Sequence, residues 1–250
     1  MWSSVTVYTG LAIAATGVGL IVRPIWRGRG VTRTRGLVVG AAGAVIAGIG
    51  LRLPVRESRV TKTHTRLDET SPVWQFRERH AIEIDAPPTR VFEAIKRVQA
   101  DEIFLFRTLT WMRRGGRQAS QSILNPGSAA PLLDVATRSG FVRLADEPPH
   151  ELVVGTVVLA PVGRREPPTP QTFQEPLPPG FATATMNFLV SADGAGGSRL
   201  STETRVFANS ASARRWFAAY WRLIYPGSAL IRQMWLRAIK RRAGRGSLAV

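Results

Sequence analysis

The chain contains no cysteine. Disulfides and thiolate metal sites are excluded, and redox compartment cannot be read from the absence. Histidine is nearly as scarce: His64, His80 and His150 stand far apart and make no ligand spacing, so no metal is expected. Acidic residues are few, 17 against 34 Lys and Arg, and the formal charge of +17 calls for an acidic partner such as nucleic acid, an anionic membrane surface or an acidic ligand. A Gly-rich phosphate loop, a Ser-His-Asp order and a metal motif are all missing, so the sequence supports neither an enzyme nor a cofactor. No nucleic-acid-binding module or aromatic platform accompanies the basic residues, and no nucleic-acid partner is expected.

Charge is also missing from two stretches near the N-terminus. Val5 to Val22 carries none, and such a helix rises about 27 Å, close to the roughly 30 Å of a bilayer's hydrocarbon. A second uncharged run, 36–51, is flanked by Arg35 and Arg52, which can snorkel at the ends of a span of about 36–52. We read residues 1–55 as a transmembrane helical hairpin, its loop broken by Pro24 and carrying an interfacial Trp26. Gly36 and Gly40 at GxxxG spacing, with Gly43 and Ala47, permit close helix approach. A secretory signal peptide is the alternative for the first run, but it lacks a basic leader and a cleavage site. The loop holds Arg23, Arg27, Arg29, Arg33 and Arg35, against Arg52, Arg56, Arg59, Lys62 and Arg66 after the second span, which leaves orientation undecided. The expected location is the cell membrane, multi-pass, with the remaining domain placed on the cytoplasmic side.

Residues 56–75 are basic and weakly patterned and read as a linker suited to an anionic lipid surface. A domain follows over 76–250. Alternation predicts strands over Phe76–Ile84, Phe141–Ala145, Glu151–Leu159, Phe181–Ser191 and Ser198–Ala208. Helical spacing predicts helices over Thr89–Val98, Glu102–Met112 and Ala130–Ser139. Residues 113–127 read as a mobile loop, and seven prolines within 161–179 as a long irregular segment forming a rim or lid. Asp193-Gly-Ala-Gly-Gly197 makes a hairpin turn, with Ala192 pairing near Ser198.

The domain is organised around its last helix, 209–243. Trp216, Phe217, Tyr220, Trp221, Ile224, Ile231, Met234, Trp235 and Ala238 form one face that stays in phase across Pro226-Gly227. Asn209 or Ser210 is the N-cap and Gly244 the stop. So aromatic a face needs a broad apolar sheet to lie on. The paired strands offer Ala184, Met186, Phe188, Val190, Leu200, Thr202, Thr204 and Val206 for that purpose, and Thr185, Asn187, Glu203 and Arg205 on the other face.

This order of elements is that of the helix-grip fold, an α+β arrangement of a curved antiparallel sheet around a long C-terminal helix. The stretches His80-Ala-Ile-Glu-Ile-Asp-Ala-Pro87, Ser139-Gly-Phe-Val142, Ser201-Thr-Glu-Thr-Arg-Val206 and Tyr220-Trp-Arg-Leu-Ile-Tyr-Pro-Gly-Ser-Ala-Leu-Ile-Arg232 resemble the bacterial SRPBCC family. That family belongs to the START and Bet v 1-like superfamily, often labelled polyketide cyclase/dehydrase and lipid transport. The resemblance covers about residues 76–243, outside the hairpin, and implies a deep apolar cavity between sheet and helix without fixing one chemistry.

The expected ligand cavity is lined by Met186, Phe188, Thr202, Thr204, Trp216, Tyr220, Trp221 and Ile224, although an aromatic stripe at helical spacing also suits a plain core. Asn187, Glu203 and Arg205 are either an exposed cross-strand cluster or a polar anchor for a headgroup. The basic C-terminal turn, Lys240-Arg241-Arg242, suits anionic lipid headgroups or solvent. The expected function is membrane-anchored binding, transport or sensing of a lipid or other hydrophobic small molecule, with the proline-rich segment as gate. A polyketide cyclase or dehydratase and a structural membrane protein with a filled core are the rivals.

Overall fold

The computed structural model describes residues 2–22, 31–104, 106, 108, 110, 130–164 and 166–245. The expectations for Pro24 and Trp26, the loop 113–127 and much of a helix over 102–112 lie outside them. Two compact units are formed, one by residues 1–55 with 215–225, the other by 56–214 with 226–250.

The first unit contains helices α1 (Trp2–Val22) and α2 (Val31–Arg52). Both are long and apolar enough to cross a membrane. They pack antiparallel at their small residues. A methyl group added to Gly17 would lie 2.3 Å from the Gly40 backbone nitrogen, and one on Gly43 would lie 2.3 Å from that of Ala14. Only glycine permits such approach. Segment 215–225 of the C-terminal helix belongs to this unit: Tyr8 donates its hydroxyl to the Leu223 carbonyl, and buried Arg222 donates to the carbonyls of Leu51 at 2.6 Å and Leu53 at 2.5 Å. Arg222 thereby satisfies acceptors at the end of α2 that the helix itself leaves open.

The second unit is a five-stranded antiparallel sheet with helices against one face. Its strands are β3 (Phe76–Ile84), β4 (Phe141–Glu147), β5 (Glu151–Leu159), β6 (Ala182–Ala192) and β7 (Ser198–Ala208), in the order β3-β7-β6-β5-β4. The β6–β7 register pairs Ala192 with Ser198, as alternation and turn length require. Their turn closes because the Asp193 carboxylate accepts from the amides of Ala195 and Gly197, at 2.8 and 2.9 Å, while Gly194 and Gly196 take positive φ. Helices α4 (Pro88–Arg97) and α5 (Leu132–Arg138) bury Val91, Phe92, Ile95, Leu132 and Leu133 in the core. Residues 100–102 form a single 3-10 turn.

The C-terminal helix α6 runs Ala211–Arg245, so Gly244 does not stop it. Ser210, not Asn209, caps it by accepting from the Ala213 amide at 3.1 Å. Its later residues Met234, Trp235, Leu236, Ala238 and Ile239 join the core with Met186, Phe188, Val190 and Leu200, which gives the helix-grip arrangement. The α+β fold expected from the sequence is therefore the fold observed.

Residues 56–75 are not a free linker. They form β1 (Ser58–Arg59), α3 (Arg66–Thr70) and β2 (Val73–Trp74), and they bury Leu67 and Asp68. A capping box starts α3: Thr65 accepts from the Asp68 amide at 3.2 Å, and Asp68 accepts from the Thr65 amide at 3.1 Å. We call this segment the strap.

Candidate functional site

The two faces of the sheet carry different chemistry. Alternation and register place Glu78, His80, Ile82 and Ile84 of β3 beside Thr204, Thr202, Leu200 and Ser198 of β7. This is the face of Met186 and Phe188, on which the C-terminal helix packs. Most of it is apolar. At one end, however, the Glu78 side chain, only 1% exposed, accepts from Ser228 of α6 at 2.9 Å and lies 2.9 Å from Nε2 of His80. Thr202 and Thr204 beside them are buried, and the Thr202 hydroxyl donates to the Asn187 carbonyl at 2.7 Å. Arg232, one turn along α6 from Ser228, donates toward the Met186 sulfur and stands over the Trp235 ring at 5.8 Å. Phe188 meets that ring edge-on at 5.1 Å. The buried Trp235 indole N–H has no hydrogen-bond partner among the described residues.

Because the Glu78 carboxylate sits between imidazole and hydroxyl, this is not the order of a hydrolytic triad, in which the imidazole touches the nucleophile. It is an acid–imidazole pair with a hydroxyl donor, held in apolar surroundings where an isolated charge would be costly. Histidine spacing alone gives His80 no role, yet Glu78 stands two residues before it on the same strand face. Carrying the alternation of Ile84, Ile82 and His80 two residues further back reveals it.

Asn187, Glu203 and Arg205 occupy the opposite face, and they are neither exposed nor free. Arg205 donates from Nε to Glu203 at 2.7 Å, from Nη2 to Asp68 at 2.7 Å and from Nη1 to the Ser71 carbonyl at 3.0 Å, with its guanidinium 4.2 Å from the Trp74 ring centre. Arg77 reaches the second oxygen of Glu203 at 2.8 Å. Asn187 donates to Glu151 at 2.6 Å and accepts from the Glu203 amide at 2.9 Å. Glu151 in turn accepts from the Arg66 amide at 2.6 Å, at the start of α3. Arg205 directly, and Asn187 and Glu203 through Glu151 and Arg205, tie the sheet to the strap, so the three residues act as a clamp between the two. Burial pushes the Asp68 carboxyl up, but the hydrogen bonds from Arg205 and from the His64 amide, with the Arg205 charge, outweigh it and hold Asp68 below the ordinary aspartate range.

The expected cavity residues divide in two. Met186, Phe188, Thr202 and Thr204 are buried in the helix-packed face of the sheet. Trp216, Tyr220, Trp221 and Ile224 instead group with the hairpin, where Trp216 stacks on Tyr220 at 5.7 Å and Trp221 meets Tyr225 at 5.9 Å. The helical stripe is thus shared between two units. Two clefts lie on the strap side of the sheet. One, of about 430 Å³, is lined by Lys62, Arg77, Arg79, Glu203 and Arg205, and the other, of about 310 Å³, is apolar and bounded by the proline-rich segment. Among the described residues no group of three or more His, Asp or Glu could hold a metal ion.

No protein-family model matches the chain, and no curated protein matches it closely enough to count as a relative. Solved structures do match. TTHA0849 from Thermus thermophilus is 12% identical over 69% of this chain and 99% of its own, with a TM-score of 0.30. CalU16 from Micromonospora echinospora is 15% identical over 78% of this chain and 96% of its own, with a TM-score of 0.27. Ara h 8.0201 is 12% identical over 68% and 98%, with a TM-score of 0.24. Likeness at this level carries no argument about activity, which must come from the site.

Proposed function

We propose that this protein is a membrane-anchored binder of a hydrophobic small molecule, held in the helix-grip domain with its polar end at Glu78 and His80. The observation that carries the reading is that pair, a buried carboxylate with a part-buried imidazole. An acid and an imidazole on an otherwise apolar face cost stability relative to apolar residues, which favours a role in binding for the pair. The unpartnered Trp235 N–H adds a donor from the helix. A lipid or isoprenoid-like molecule with one polar group suits such a set, its apolar part contributing about 25 cal/mol per Å² removed from water.

Attachment to the membrane rests on α1 and α2 and on where apolar surface is exposed. Of fourteen exposed large hydrophobic residues among those described, all but Phe104 and Val162 belong to the hairpin unit, as a lipid-facing surface requires. Trp216, Tyr220, Trp221 and Tyr225 in that unit suit the bilayer interface, and the basic strap and C-terminal turn suit anionic headgroups. No nucleic-acid partner is proposed.

Solvent extraction of the purified full chain, followed by mass spectrometry of the extract, tests the reading. One dominant apolar molecule, lost from a Glu78→Leu/His80→Phe variant, is the expected result; identical extracts from both proteins would refute it. The Glu78–His80 pair also favours a second reading, a cyclase or dehydratase using it for proton transfer. Hydrogen–deuterium exchange into an enolisable ketone, abolished by His80→Phe, would mark that chemistry.

A further inference from the structure

The apolar cleft on the strap side is walled by three parts of the chain. Its floor is the outer face of the sheet, at Phe181, Thr183, Thr185 and Phe207, and the strap closes one side with Pro72 and Val73. Phe173 and Leu177 of the proline-rich segment close the other.

This wall is built into the sheet rather than laid over it. Gly155 pairs directly with Thr185 across β5 and β6, and a Cβ at Gly155 would lie 2.5 Å from the Phe173 ring. The bare glycine is what lets that ring seat on the sheet. Asn209 fixes the next part of the wall: its side-chain oxygen accepts from the amides of Gly180 and Phe181, both at 3.0 Å, and its amide donates to the carbonyls of Leu177 and Pro178 at 2.9 and 2.8 Å. At about 310 Å³ the space falls at the lower end of the range for ligand pockets.

Thr185 supplies the polar group. It is 3% exposed, and its hydroxyl has no hydrogen-bond partner among the described residues. An orphaned buried hydroxyl destabilises the empty protein, and a ligand that accepts from it removes the penalty. Among the described residues that line the cleft, Glu175 alone is ionisable, which disfavours an anionic ligand. We infer that this cleft binds an uncharged, compact apolar molecule whose carbonyl or hydroxyl oxygen is held by Thr185. The site lies on the sheet face opposite Glu78 and His80, and stands whether or not that pair holds a ligand.

Benzophenone, an uncharged ketone that inserts into neighbouring C–H bonds under light, is the probe. The full chain in phosphatidylcholine nanodiscs is irradiated with increasing benzophenone, and adducts are mapped by peptide mass spectrometry. Saturable adducts are expected in 172–177, 181–185 and at Phe207. Filling the cleft by Thr183→Trp is expected to reduce them at least about ten-fold, while adducts on α1 and α2 from bilayer-dissolved probe persist as an internal control. Thr185→Val is expected to keep the fold, raise the melting temperature of the empty protein and weaken labelling about five-fold, the equivalent of one ordinary hydrogen bond. Adducts confined to α1 and α2, or cleft adducts unchanged in both variants, overturn the inference.

Discussion

Ser228, on the C-terminal helix, donates its hydroxyl to the buried carboxylate of Glu78 on the first long strand, 2.9 Å away. The bond joins helix to sheet at the point where His80 meets the same carboxylate. Removing the acceptor with Glu78→Ala strands both partners, and we expect a loss of about 3 kcal/mol. Glu78→Gln keeps an acceptor and should cost about 1 kcal/mol. Glu78→Leu/His80→Phe replaces the pair with apolar groups and should leave stability nearly unchanged. Urea unfolding midpoints of the three variants check the ranking.

Arg205 holds the strap. Arg205→Met leaves Asp68 buried without its guanidinium and takes one from Glu203, which keeps Arg77, with an expected loss of about 3 kcal/mol. Amide hydrogen exchange should accelerate first over 66–75, since the clamp's other contacts remain with the sheet. Uniform acceleration through β6 and β7 would show that the strap and the sheet do not open separately.

Acid should release the same segment. Asp68 is held below its ordinary value of 3.8 in the folded protein. In a group so depressed, the stabilising contribution is fully present above about pH 4 and is lost as pH falls through the lower folded value. Stability measured across the acid range, from near neutrality downward, should therefore fall more steeply for the wild type than for Asp68→Asn, which has lost the titrating group.

How much of this was legible in the sequence differs from element to element. The β6–β7 register followed from alternation and the Asp193–Gly197 turn, because a one-residue slip would reverse both faces. The strap was not legible. Its strands are two residues long and its helix five, too short to show a period, and it is held by Arg205, far along the chain. The capping box of Thr65 and Asp68 was the local sign of order. The aromatic stripe of α6 is one helical face, as its spacing indicates, but spacing gives a face and not its partner. Trp216 to Tyr225 therefore went to the hairpin unit, while Met234 and Trp235 went to the sheet.

The hairpin depends on its glycines. Gly17→Leu and Gly43→Leu each place side-chain atoms where the opposing backbone stands, and each should cost about 1–3 kcal/mol in detergent-titration unfolding. Gly19→Leu is the control: nothing lies within 4 Å of its added Cβ, and its effect should stay within about 0.5 kcal/mol.

Native mass spectrometry of the full chain released from detergent tests the central claim most directly. The expected result is one small-molecule adduct per wild-type chain that survives stripping of bulk lipid, and no such adduct on a folded Glu78→Leu/His80→Phe variant. A wild-type chain that flies bare, or adducts identical in both proteins, would contradict the assignment of a ligand site to Glu78 and His80.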